Sequence, residues 1–205
     1  MGMKQWHLSK WALWHSKWIR NTILGSVIMI LTLLFLPWTV WPRASERADL
    51  AHTVTKVAPG GVPAIGQTAP DFTLASLHHD QQTLSDWEGQ PVLINFWASW
   101  CGPCRREMPE LIAAHERYQA EGLVVLAVNL SHQDTRANAE AFVEEFQPPF
   151  PVLLDTTGEV SDKLYGARGL PMSFFIGRSG QIRRIYVGAM SRESIDQFMA
   201  ETLAE

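Results

Sequence analysis

Two short stretches of the chain, residues 91–98 and 123–130, are apolar at nearly every position and rich in strand-forming side chains. A run that is apolar on both faces of a strand is typical of the centre of a buried sheet. Between these stretches, residues 103–120 place apolar side chains at helical spacing, which predicts an amphipathic helix. Two buried strands separated by such a helix predict an α/β domain.

The segments that follow continue this alternation of strands and helices. In order, the pattern predicts a helix at 135–146, a short strand at 151–155, a short helix at 159–165, strands at 172–177 and 181–188 joined as a hairpin, and a last helix capped by Ser191. Residues 71–74 and the turn at 84–87 form a lead-in whose pairing the pattern does not determine. The order predicts an α/β sandwich with a central mixed sheet flanked by helices.

A separate apolar segment precedes this domain. Residues 22–41 contain no charge, and as a helix they would span about 30 Å, the thickness of a bilayer core. Four basic and no acidic residues precede the segment, whereas the charges just after it nearly cancel, so the positive-inside rule places the N-terminus in the cytoplasm. We expect a basic, Trp-rich cytoplasmic stub at 1–21, a transmembrane signal anchor at 22–41, a linker at 42–66 and the domain at 67–205.

A cleavable signal peptide is the alternative, because it too combines a basic start with an apolar run. The apolar run here is longer than the usual ~7 to 15 residues, and no clear small-x-small cleavage triplet follows it. We therefore expect a retained single-pass anchor in the inner (cytoplasmic) membrane, with the domain in the periplasm or another extracytoplasmic space.

Charge and cysteine content exclude several classes of function. After residue 41 the chain has 13 basic and 21 acidic residues, so the domain is a poor candidate for neutralising nucleic-acid phosphates. Only two cysteines are present, which excludes a multi-disulfide scaffold and a zinc site with four Cys ligands.

The two cysteines, Cys101 and Cys104, stand between the first predicted strand and the first long helix. Their spacing places both sulfurs on one helix face about a turn apart, close enough for a disulfide. The positive end of the helix dipole would lower the pKa of the Cys101 thiol, which makes Cys101 the expected nucleophile, and Cys104 would resolve the mixed disulfide. A purely structural disulfide and half of a metal site are the alternatives.

Four stretches of the domain carry a resemblance to known proteins. They are QTAPDFTL (67–74), LINFWASWCGPCRREMPEL (93–111), LVVLAVNL (123–130) and GLPMSFFI (169–176). In these stretches the chain resembles the thioredoxin superfamily, and within it the membrane-anchored TlpA, ResA and CcmG-like thiol-disulfide oxidoreductases. The resemblance covers nearly all of residues 67–205 and implies a thioredoxin-like fold.

The resemblance also implies roles for residues around the cysteines. Pro171 would be a cis-proline facing the disulfide, and the backbone of Leu170 would pair with an extended substrate segment. Trp100 would flank the disulfide as an apolar contact surface. Gly102 and Pro103 complete the active-site loop and resemble the corresponding pair in reducing thioredoxins.

Two further polar residues are candidates for proton transfer. Glu107 matches a glutamate in the active site of ResA-like proteins. The resemblance implies that its carboxyl raises the pKa values of the two thiols or titrates together with them, or that it relays a proton to Cys104. The alternative is a solvated helix carboxylate. Asn95 stands where otherwise similar thioredoxins carry an aspartate, and because Asn cannot titrate, we favour a buried, hydrogen-bonded amide over a proton-path role. Arg105 and Arg106 are expected on the solvated rim.

For this family, the arrangement implies a reductant of protein disulfides, with apocytochrome c or a copper-site protein as the suspected substrate. A membrane thiol transporter of the DsbD or CcdA kind would supply the electrons. We expect no metal and no cofactor besides the redox-active Cys101–Cys104 pair. The alternatives are a copper(I)-binding chaperone and a peroxiredoxin-like peroxidase, although Ala98, Ser99 and Trp100 do not supply the peroxiredoxin pattern.

Overall fold

The computed structural model describes residues 62–78 and 80–204. The predicted stub, the predicted membrane anchor and most of the predicted linker lie outside these residues. In the part described, no helix is long and apolar enough to cross a membrane. The strands are β1 (Thr73–Ala75), β2 (Gln81–Thr83), β3 (Val92–Trp97), β4 (Val124–Asn129), β5 (Val152–Leu154), β6 (Met172–Ile176) and β7 (Ile182–Val187). The long helices are α1 (Gly102–Tyr118), α2 (Arg136–Phe146) and α3 (Arg192–Leu203).

Five strands form a mixed sheet in the order β5-β4-β3-β6-β7. The β3 strand pairs parallel with β4 and antiparallel with β6, and β4 pairs parallel with β5. Both β3 and β4 are buried at every position, as their two-sided apolar pattern predicts. The predicted α/β fold with a central mixed sheet is confirmed.

Alternation along β3 divides the core into two layers. Leu93 and Trp97 pack in one layer with side chains of all three long helices, and the Trp97 ring lies 4.3 Å from that of Phe142 on α2. Ile94 and Phe96 point to the opposite face, because successive strand side chains alternate. Since Asn95 is two residues from both Leu93 and Trp97, it faces the layer that contains α1.

The lead-in forms the part of the fold that the sequence pattern left open. The β1 and β2 strands make a two-stranded antiparallel hairpin, and a 3-10 helix at Leu84–Trp87 follows it. The backbone N–H of Gly66 donates to the carbonyl of Ile182 at 2.8 Å, and Pro63 is buried. Ordered packing therefore includes the last residues of the predicted linker.

Gly166 shows why the chain near residue 62 approaches the domain so closely. Its φ of 63° is in the left-handed region, and a Cβ there would lie 2.3 Å from Cγ2 of Val62. Only glycine accepts both the backbone conformation and the close contact. The neighbouring segment Glu159–Leu164, predicted as a short helix, is a π-helical turn that leads into the loop before β6.

Candidate active site

The two cysteines form a disulfide at the N-terminus of α1. Cys101 is the N-cap residue, and its Sγ accepts a hydrogen bond from the backbone N–H of Cys104 at 3.2 Å. The Cα atoms are 5.3 Å apart, and both residues are nearly inaccessible, at 4% for Cys101 and 2% for Cys104. In the reduced protein the same N–H and the helix dipole would stabilise a Cys101 thiolate.

An open cleft of about 550 Å³ lies against this disulfide. Its lining residues are Trp100, Cys101, Gly102, Pro103, Leu130, Gln133, Asp162, Ala167, Arg168 and Leu170. Cys101 lines the cleft and Cys104 does not, so of the two cysteines the cleft reaches the one that the sequence predicts as the nucleophile. The peptide bond between Leu170 and Pro171 is cis, and Pro171 is buried at the start of β6.

Glu107 lies one helical turn after Cys104 and is buried, with 1% of its surface exposed. Its Oε1 accepts from the backbone N–H of Met190 at 3.0 Å, and its Oε2 accepts from Nδ2 of Asn95 at 3.0 Å. Burial raises the pKa of the Glu107 carboxyl to about 7, although these two hydrogen bonds act in the opposite direction. The alternative of a solvated helix carboxylate is therefore wrong.

Asn95 connects this carboxyl to the sheet. Its Nδ2 also donates to Oγ of Ser173, its partner across the β3–β6 pairing, at 2.9 Å. The residue is 1% exposed, so the structure places it as the buried, hydrogen-bonded amide that the sequence favours. Ser173 is not among the site residues predicted from the sequence, where its only signal is a single hydroxyl in the apolar run of β6.

The AhpC/TSA family profile matches residues 65–185 of this chain. The thiol-disulfide oxidoreductase ResA of Geobacillus thermodenitrificans is 35% identical over 180 residues, which cover 88% of this chain and 95% of the relative. The chain belongs to the ResA-like proteins of the AhpC/TSA family. The thioredoxin-like protein YneN of Bacillus subtilis is 34% identical and covers 85% of this chain and 94% of its own length.

Solved structures give the same assignment. A putative thiol:disulfide interchange protein DsbE from Chlorobium tepidum superimposes with a TM-score of 0.63 at 35% identity. StoA from Bacillus subtilis superimposes with a TM-score of 0.56 at 25% identity. They cover 68% and 67% of this chain, but 98% and 99% of their own. This ResA-like chain is therefore a thiol-disulfide oxidoreductase with a thioredoxin-like domain. The two solved chains consist almost entirely of that domain.

A second network, which the sequence analysis missed, holds the active-site loop of this ResA-like domain. The Asp134 carboxylate accepts hydrogen bonds from the backbone N–H and the Oγ of Ser99, each at 2.7 Å, and from Nδ2 of Asn129 at 3.0 Å. Partial burial raises the pKa of Asp134, but the hydrogen bonds outweigh it and hold the pKa below its ordinary value. In the sequence, the only signal of this network is that an acidic residue, Asp134, follows shortly after β4, which ends beside the cysteine loop.

Trp100 is held by Gln133, the residue that precedes Asp134. Its indole N–H donates to the carbonyl of Gln133 at 3.0 Å, while 59% of the residue remains exposed. The side chain thus presents an apolar ring at the cleft with its one donor satisfied. Trp97, by contrast, is a core residue with no exposure.

The remaining titratable side chains do not gather into a further centre. Among residues 62–78 and 80–204, no three His, Cys, Asp or Glu side chains are arranged to hold a metal ion. His115 is half-buried with its ring 5.7 Å from that of Phe150, and His132 contacts Asp162 through Nε2 at 3.0 Å. His79 lies outside the described residues.

Proposed function

We propose that this chain is a membrane-tethered, extracytoplasmic thiol-disulfide oxidoreductase that reduces protein disulfides. The observation that carries the proposal is the Cys101–Cys104 disulfide, which caps α1 and meets the cleft at Cys101. The buried Glu107 carboxyl, with a pKa of about 7, lies one helical turn further along.

The first step uses the geometry of the helix N-terminus. In the reduced protein, the Cys101 thiolate attacks one sulfur of a substrate disulfide held in the cleft. A bond forms between Cys101 Sγ and that sulfur, and the substrate's other sulfur leaves as a thiolate and takes a proton. The apolar ring of Trp100 and the backbone next to the cis-proline, at Leu170, support the bound segment.

The second step needs a proton acceptor. The Cys104 thiol loses its proton and attacks Cys101 Sγ, which releases the second substrate thiol and restores the Cys101–Cys104 disulfide. Glu107 is the proposed acceptor of that proton, because a carboxyl with a pKa near neutrality is suited to both accepting and releasing one. Asn95 would act by holding the carboxyl in place. Two electrons pass from the cysteine pair to the substrate, and the two substrate sulfurs leave as thiolates that take protons from water or from the Glu107 carboxyl.

The pathway around this exchange is part of the proposal. The chain would lie in the inner membrane as a single-pass protein with a cytoplasmic N-terminus, and a thiol transporter of the DsbD or CcdA kind would return electrons to Cys101 and Cys104. Apocytochrome c or a copper-site protein is the proposed substrate. The support for this is the apolar segment at 22–41, its flanking charges and the ResA name of the relatives.

The reduction potential of the cysteine pair tests the direction of transfer. The fragment from Val62 to Glu205 would be equilibrated against defined glutathione or dithiothreitol ratios, with a Cys104→Ser variant as the control that cannot form the disulfide. A potential near the thioredoxin value of about -270 mV would support a reductant. A potential near the DsbA value of about -120 mV would make the protein an oxidant and end this proposal.

A further inference from the structure

Three arginines lie near the active site, and the structure separates one of them from the other two. Arg105 on α1 contacts the Glu145 carboxylate, and its guanidinium lies 5.3 Å from the ring centre of Phe142 and 5.2 Å from that of Phe146. Its charge is therefore matched by a carboxylate and its planar group is stacked on aromatic rings. Arg105 is a structural contact between α1 and α2.

Among the described residues, Arg106 and Arg168 have neither a carboxylate partner nor an aromatic ring stacked against the guanidinium. Arg106 is exposed, and its Nη1 lies 3.8 Å from the position that a Cβ on Gly102 would occupy, so its guanidinium lies over the loop between the two cysteines. Arg168 is exposed and lines the cleft next to the disulfide. Within the described part of the chain, neither guanidinium has a hydrogen-bonding or ion-pair partner.

The acidic residue that lines the cleft forms no ion pair with either arginine. Asp162 is the only carboxylate among the lining residues of the described cleft, and its Oδ2 is 3.0 Å from Nε2 of His132. The partner of this carboxylate is therefore His132 and not an arginine. One guanidinium, that of Arg168, therefore lines the cleft beside Cys101, and a second, that of Arg106, lies next to Gly102 at its edge, although the chain after residue 41 has an excess of acidic residues.

From this arrangement we propose that Arg106 and Arg168 bind an acidic side chain next to the reacting cysteine of a partner polypeptide. The enzyme would then prefer protein disulfides flanked by Asp or Glu. Guanidinium groups pair with carboxylates through two parallel hydrogen bonds. Such a contact is directional as well as attractive. A local positive charge on an acidic domain also orients an acidic segment towards the cleft and away from the rest of the surface. This inference rests on the proposed function as a disulfide reductant.

Matched peptides test the preference. Three peptides would carry one cysteine as a mixed disulfide with 2-thiopyridine and differ only in the adjacent residue, which is Glu, Gln or Lys. The full-length chain, in neutral detergent and reduced, is mixed with each peptide. The Cys101 thiolate attacks the peptide sulfur and pyridine-2-thione leaves, after which Cys104 releases the peptide thiol. The release of the thione gives the rate of the first step.

The Glu peptide should react about fivefold faster than the Gln peptide, the size expected from two solvent-screened contacts, and the Lys peptide should be slowest. The difference should shrink as salt is raised. Arg106→Gln and Arg168→Gln should each lower the ratio of Glu to Gln rates, and the double variant should bring it to about one by loss of both contacts. Arg105→Gln is the matched control and should keep the ratio.

The ratio of the Glu-peptide rate to the Gln-peptide rate is the informative quantity. Loss of a nearby positive charge could lower the fraction of Cys101 present as thiolate and slow the reaction of all three peptides equally. Equal rates for the three peptides with the unaltered chain, or a preference that survives in the double variant, would overturn the inference. Failure of the proposed function is a different result: no peptide would react faster than with a Cys101→Ser variant.

Discussion

Replacing Glu107 by glutamine should make the oxidised domain more stable at alkaline pH and remove a pH dependence of its stability. Glutamine has the same shape and can keep the existing bonds. Its Oε1 accepts from Met190 N–H, and its Nε2 can donate to Asn95 if the Asn95 amide turns so that Oδ1 faces it. The Ser173 hydroxyl, which now accepts from Asn95, can then donate instead.

The magnitude follows from the pKa. The carboxyl has an ordinary pKa of 4.5 and a pKa of about 7 in the folded domain, because burial penalises the charged form. A raised acid pKa contributes stability that is fully present below pH 4.5 and is lost as pH rises towards and through 7. A difference of about 2.5 pKa units at 1.36 kcal/mol each amounts to about 3 kcal/mol. Wild type and Glu107→Gln should therefore be similar near pH 4.5, and the variant should be more stable by about that amount above pH 8.

The measurement is denaturant unfolding of the disulfide-bonded fragment from Val62 to Glu205, between pH 4.5 and pH 9, for wild type and variant. Taking the difference between the two cancels the titration of the histidines and of the other carboxylates, which both proteins share. Glu116→Gln removes an exposed carboxylate from the same helix and serves as the matched control. A difference between wild type and Glu107→Gln that stays constant over this range would refute the burial argument.

Two further pairs of variants probe the thiol-disulfide exchange and the active-site loop. Cys104→Ser should accumulate a mixed disulfide between Cys101 and a substrate thiol, because the resolving thiol is absent, whereas Cys101→Ser should accumulate none; mass spectrometry under non-reducing conditions separates the two. Asp134→Asn should lower stability by about 1 to 3 kcal/mol, because the amide places a donor where the carboxylate accepts from Ser99 or Asn129, with Asp134→Ala as the companion variant. Since the folded pKa of Asp134 is lowered, its contribution is present above the ordinary pKa of 3.8 and lost as pH falls below it, so unchanged acid unfolding of Asp134→Asn would count against this role.

The elements of the fold could be predicted because their signals are local. The strands β3 and β4 are apolar at consecutive positions, and α1 repeats its apolar residues at helical spacing, so each pattern is readable within about ten residues. The hairpin of β1 and β2 could not be predicted, because its two strands have three residues each and no strong alternation. Its place depends on contacts with β5 that are distant in the chain.

The place of the cysteine pair in the fold could be predicted from the chain's local pattern. Cys101 and Cys104 are three residues apart at the start of a predicted helix, and helix geometry at that spacing permits the disulfide and the N-terminal position of Cys101 that the structure shows. The environment of the polar residues around the pair depends instead on tertiary contacts. Glu107 is bonded to Asn95, 12 residues away, and to Met190, 83 residues away, and Asp134 is 35 residues from Ser99. Whether a carboxylate is solvated or buried depends on which distant segments cover it, and that is set by the packing of the whole domain.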